Sequence, residues 1–72
     1  MPKATIRNSI RQLRFAHGEM TQQALADQAG CTRQTIMMLE QERYVPSLVL
    51  AMRIARLFGT SVEQVFTLEE PC

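Results

Sequence analysis

The chain has 72 residues, 46% hydrophobic and 21% charged, a balance that fits a small globular unit and argues against disorder. One domain is expected over residues 1–72, with a marginal core, since a chain of this size buries only about 60% of its unfolded surface. No apolar run is long enough to span a bilayer, and Lys3 and Arg7 lead into an amphipathic segment rather than a signal sequence, so a soluble cytoplasmic protein is expected.

The net charge of +1 hides an asymmetry. Residues 1–58 hold all eight Lys and Arg against Glu19, Asp27, Glu40 and Glu42, a balance of +4, whereas residues 59–72 hold Glu63, Glu69 and Glu70 and no base, a balance of −3. A basic body with an acidic tail permits an anionic partner without requiring one. Cys31 and Cys72 are far apart and form no C-x-x-C pair, and His17 has no second histidine near it. A disulfide framework, a zinc set and any cofactor are therefore not expected, and Cys31 reads most simply as a small buried residue. No nucleophile–base pair, phosphate loop or metal cluster points to an enzyme.

In chain order, Ile6, Ile10 and Leu13 recur at helical spacing and predict a first amphipathic helix ended by Gly18. Thr21 is a candidate N-cap for a second, which turns Leu25 and Ala26 inward and stops at Gly30. Thr32 caps a third that carries Ile36 and Leu39 inward. Tyr44-Val45-Pro46 is extended, because the residue before a proline is pushed out of the α region. Ser47 caps a fourth helix with Leu48, Ala51, Ile54, Ala55 and Phe58 as its apolar stripe. Ser61 and Gln64 fit a capping box for a short fifth bearing Val62, Val65 and Phe66. No strand pattern of period two stands out, so the expected class is all-α with five short helices.

The second and third helices are joined by a turn of about four residues containing a glycine, the helix-turn-helix layout. Ala26 is small where the two helices cross, and Gly30 supplies the positive φ of the turn. Ile36 and Leu39 pin the third helix, which leaves Arg33, Gln34, Met37 and Met38 facing outward near its N-terminus. That end carries free N–H groups and a positive dipole, both suited to phosphate. Met37 and Met38 are adjacent and so point about 100° apart, and both are not expected in the core.

The run from Gln22 to Ala26, the turn and cap Gly30-Cys31-Thr32, then Arg33-Gln34-Thr35-Ile36 and Leu39-Glu40, resemble the helix-turn-helix of the phage Cro/repressor-like (XRE) family of transcriptional regulators. "IRQLR" from Ile10 resembles the family's first helix, and "YVPSLVLAMRIARLFGTSVEQVF" from Tyr44 its fourth and fifth, so the likeness covers about residues 7–67. It implies a five-helix, lambda-repressor-like fold. It also implies that Gln22 bonds a DNA phosphate, that Arg33 and Gln34 reach base edges, and that Thr32 and Thr35 bond phosphate or touch a thymine methyl. Arginine pairs bidentately with guanine and glutamine with adenine, each good pair giving roughly 1–3 kcal/mol of discrimination. Gln41, Arg43, Tyr44 and Ser47 hold the backbone on the far side, and Arg14 pairs with Glu40 to tie the first helix to the third, a pair that serves structure as readily as binding. Two departures stand out: Met37 and Met38 occupy positions that are often polar in the family, and the stretch His17-Gly18-Glu19-Met20 is one residue longer than the commonest spacing.

The resemblance implies a double-stranded DNA operator as partner, bound by a homodimer acting as a repressor. The apolar set Val62, Val65, Phe66 and Leu68 is a candidate dimer face, with packing against the first and fourth helices as the alternative. The competing function is a protein-interaction module, antitoxin-like or coactivator-like, on the same fold. With no effector domain evident, Cys31 in the turn is a candidate for redox sensing.

Overall fold

A computed structural model describes residues 5–70; Lys3 and Cys72 lie outside the described residues. The elements run β1 (Thr5–Asn8), α1 (Ile10–Ala16), α2 (Gln22–Ala29), α3 (Arg33–Glu40), α4 (Leu48–Leu57), α5 (Val62–Val65) and β2 (Phe66–Glu69). Four of the five helices start where side-chain caps stand, and α1 has no such cap at Ser9. Thr21, Thr32 and Ser47 accept the N–H of Ala24, Thr35 and Leu50, and Ser61 with Gln64 closes a reciprocal capping box.

The all-α expectation is corrected by β1 and β2, which pair antiparallel with Ile6 opposite Leu68 and Asn8 opposite Phe66. Ile6 therefore belongs to a strand, and α1 begins only at Ile10. Asn8 makes the break. Its Oδ1 accepts the Ile10 N–H at 3.2 Å and its Nδ2 donates to the Leu39 carbonyl at 2.7 Å, so the corner between strand and helix is held from α3. The Ser9 N–H donates to the Val65 carbonyl, which seats the end of the strand against α5.

One apolar cluster joins all five helices. Ile10, Leu25, Ile36, Leu39, Ile54 and Val65 are completely or almost completely buried, and Ala26, Ala29, Ala51 and Ala55 give α2 and α4 their close approach. Val65 and Phe66 belong to this cluster, at 1% and 8% exposure, so the candidate dimer face is corrected at Val65, which is spent on the core, while Phe66 keeps an edge on a surface groove that Val62 also lines. Of that set only Leu68 stands out in solvent, with Val62 half-buried. The exposed apolar surface lies instead on the connection into α4, where Val45, Leu48 and Val49 are more than half exposed.

Candidate nucleic-acid interface

The third helix is positioned from both ends. At its start Gly30 adopts φ +77°, and the N–H groups of Gly30 and Cys31 both donate to the Ala26 carbonyl, closing α2 tightly enough for α3 to turn back across it. Thr32 then caps α3, with its hydroxyl also bonded to that of Thr35. This leaves the N–H groups of Arg33 and Gln34 at the helix end with no intrahelical acceptor. Ile36 and Leu39 are buried, which fixes the roll of the helix and sends Arg33 and Gln34 into solvent.

Met37 and Met38 are each half-buried, so the split is between two partly covered thioethers rather than one inside and one outside. With Gln34, Gln41 and Arg43 they line a groove of about 340 Å³ along one side of α3. Arg43 and Tyr44 are exposed in the connection that follows, and Ser47, also exposed, spends its Oγ on the α4 cap.

At the far end of α3 the Arg14–Glu40 pair is formed. Arg14 Nε and Nη2 donate to the two Glu40 oxygens at 2.7 and 3.0 Å, and Nη1 donates to the Met20 carbonyl at 2.8 Å. The longer loop from His17 to Met20 is absorbed by positive φ at Gly18 and Glu19, which brings Met20 back onto Arg14. Gln22, at the first position of α2, donates to Glu40 Oε1 at 3.3 Å, so one carboxylate ties α1, α2 and α3 together. Fork-to-fork geometry of this kind fixes orientation as well as energy.

The second acid at this end, Glu42, is paired with Arg7 at 3.3 Å, and Arg7 reaches Glu69 at 3.6 Å. Among the described residues, Arg11, Arg33, Arg43, Arg53 and Arg56 have no carboxylate within 4 Å. The dipeptide Arg11-Gln12 chemically repeats Arg33-Gln34 on an earlier helix.

Cys31 sits half-buried in the turn, and burial pushes its thiol up from the ordinary value. Such a thiol is a poor nucleophile near neutrality. Among the described residues no group of three His, Cys, Asp or Glu is placed to hold a metal ion, and no helix is long and apolar enough to cross a membrane.

This is a helix-turn-helix unit whose third helix presents uncompensated polar groups. The family described as "Helix-turn-helix" matches residues 10–65. An uncharacterised HTH-type transcriptional regulator of Methanothermobacter thermautotrophicus is 50% identical over 66 residues, which are 90% of this chain and 94% of that one. The uncharacterised HTH-type transcriptional regulator YgzD of Bacillus subtilis is 42% identical over 65 residues, covering 90% and 97%. Among solved structures, the hypothetical transcription factor NHTF from Neisseria is similar at a TM-score of 0.69 and 27% identity, over 76% of this chain and 62% of that one, so this chain spans about three fifths of its length. The chain belongs to the helix-turn-helix family of XRE-like transcriptional regulators.

Proposed function

We propose that this regulator binds double-stranded DNA sequence-specifically, laying α3 in the major groove, and acts as a repressor by occupying a promoter. The observation that carries the reading is the pair Arg33 and Gln34, exposed at the N-terminus of a capped helix whose opposite face is locked in the core. In this reading Arg33 and Gln34 meet base edges, and Thr32, Thr35, Met37 and Met38 line the approach. Gln22, Gln41, Arg43, Tyr44 and Ser47 keep the register on phosphates.

The test is a salt titration on a duplex selected from a random pool. Wild-type affinity should fall steeply between low and moderate salt, with Arg33→Ala losing discrimination among operator sequences while the fold stays intact. A flat salt response, or an Arg33→Ala chain that binds every sequence as wild type does, sinks the reading.

Two-fold binding would place half-sites about 34 Å apart. The surface that supports a homodimer is a groove of about 240 Å³ lined by Ile6, Val45, Leu48, Val62 and Phe66. Leu48→Glu should shift the sedimenting species to monomer. The same apolar surface is what favours the competing reading, a protein-interaction module; in that case Arg33→Ala leaves partner binding untouched and no duplex is retained.

A further inference from the structure

A second cleft, of about 430 Å³, lies between the N-terminal half of α1 and the C-terminal half of α3. Arg11 and Gln12 form one wall, Met37 and Gln41 the other, and Gln22 contributes between them. Met37 and Gln41 also line the groove that holds Arg43. The outward ridge of α3 is thus flanked by a groove on each side, and each groove contains one arginine with no carboxylate within 4 Å among the described residues.

Arg11 lies one turn before Arg14 on the same face of α1, so it overhangs the flank of α3 that Arg14 anchors. Both guanidinium groups lie over the Phe15 ring, at 5.5 and 5.3 Å from its centre. Phe15 is half exposed, an unusual position for a phenylalanine that makes sense as a platform orienting these cations. The acids of the cleft are already committed, Glu40 to Arg14 and Glu42 to Arg7, and Arg7 is shared with Glu69, so Arg11 alone is unspent there.

A helix seated in a major groove has a phosphate strand along each of its sides, about 12 Å apart. The geometry points to Arg11, with Gln12 and Gln22, as the seat for a backbone phosphodiester on one strand, opposite the strand that Arg43 meets. This rests on the DNA-binding reading above. The contact is to backbone only and carries no sequence information.

The experiment uses the full chain and duplexes in which a neutral methylphosphonate replaces single phosphates, walked along both strands. Wild type should lose several-fold affinity at one flanking position per half-site, and Arg11→Ala should be indifferent to neutralisation at that position. Arg11→Ala should also lower the slope of log affinity against log salt by about 0.9 per protomer, equally on operator and scrambled duplexes, with Arg11→Lys restoring it. If wild type binds and Arg11→Ala matches it in slope and in its methylphosphonate map, this seat alone falls. A loss confined to the operator sequence overturns it too, by making Arg11 a base reader. If wild type shows no salt-dependent binding at all, the DNA-binding reading falls with it.

Discussion

Replacing Arg14 by alanine should cost more stability than any other single change to a charged residue in this chain. The Arg14 side chain is 8% exposed and that of Glu40 10%. Removal leaves Glu40 in a nearly dry site with only the Gln22 amide, and strips the Met20 carbonyl of its donor. Breaking a buried pair from one side costs about 3–5 kcal/mol, because the surviving charge is left uncompensated. A chain of 72 residues has a total stability of only about 4–11 kcal/mol. At about 4–8 °C per kcal/mol, the melting temperature should drop by at least ~12 °C. Urea unfolding followed by helical circular dichroism measures it directly, and the loss should be insensitive to salt, because the pair is buried. Replacing both partners with apolar residues, Arg14→Met with Glu40→Leu, should recover much of the loss, since the charge-burial penalty disappears with the charges. An Arg14→Ala chain within ~1 kcal/mol of wild type would refute the assignment of this pair as the clamp joining α1 to α3.

Glu42 adopts φ +61°, a left-handed conformation that costs a non-glycine residue roughly 1–2 kcal/mol, and its ion pair with the exposed Arg7 returns only about 0.2–1 kcal/mol. Glu42→Gly should therefore leave stability unchanged or raise it by up to ~1 kcal/mol in urea unfolding, and a clear loss would show that the ion pair outweighs the strain. In a Cys72→Ser chain, Cys31 should alkylate with iodoacetamide more slowly at pH 8 when folded than when unfolded in urea, because burial holds the thiol protonated; equal rates refute this. The sign for stability follows from the same shift: the contribution is fully present below the ordinary thiol value of 9.0 and is lost as pH rises through the raised one, so stability should decline above about pH 9.

The parts of the fold that could be read in advance are those with local causes. A cap is a side chain bonding a backbone N–H three residues on, so Thr21, Thr32, Ser47 and Ser61 declare their helices within a single turn of sequence. The sheet has no local cause. Thr5–Asn8 and Phe66–Glu69 are four residues each, too short for an alternating pattern to emerge, and each exists only because the chain brings its partner alongside. Ile6 fell at helical spacing from Ile10 by coincidence, and what stops the helix there is an Asn8 side chain bonded to Leu39, a contact that spacing does not reveal. The same limit applies to the candidate dimer face. Val65 and Phe66 are apolar in excess of what α5 alone would need, but Val65 closes α5 inside the core and Phe66 pairs with Asn8 in the sheet, so the most exposed apolar surface lies at Val45 and Leu48.

The same distinction applies to charge, and there it bears on how a chain of net charge +1 grips a polyanion. Summed charge is a poor guide, because attraction at the surface depends on which cations have been left over after the protein's own acids are matched. The two acids nearest the end of α3 are both matched, Glu40 by a buried fork and Glu42 by an exposed contact, and Glu69 is drawn to the Arg7 that serves Glu42. Gln22 is oriented by Glu40 as well, so the pair that closes the core also aims a polar side chain at the cleft. Among the described residues, Arg33 at the leading end of α3, Arg43 beyond its trailing end and Arg11 beside it are the cations left over around that helix, with Arg11 and Arg43 in the grooves on either side of the ridge Gln34–Met37–Gln41. Composition assigns these three arginines the same weight as Arg7 and Arg14; only the pairing pattern, which is a property of the folded chain, separates the arginines that hold the protein together from those free to hold something else.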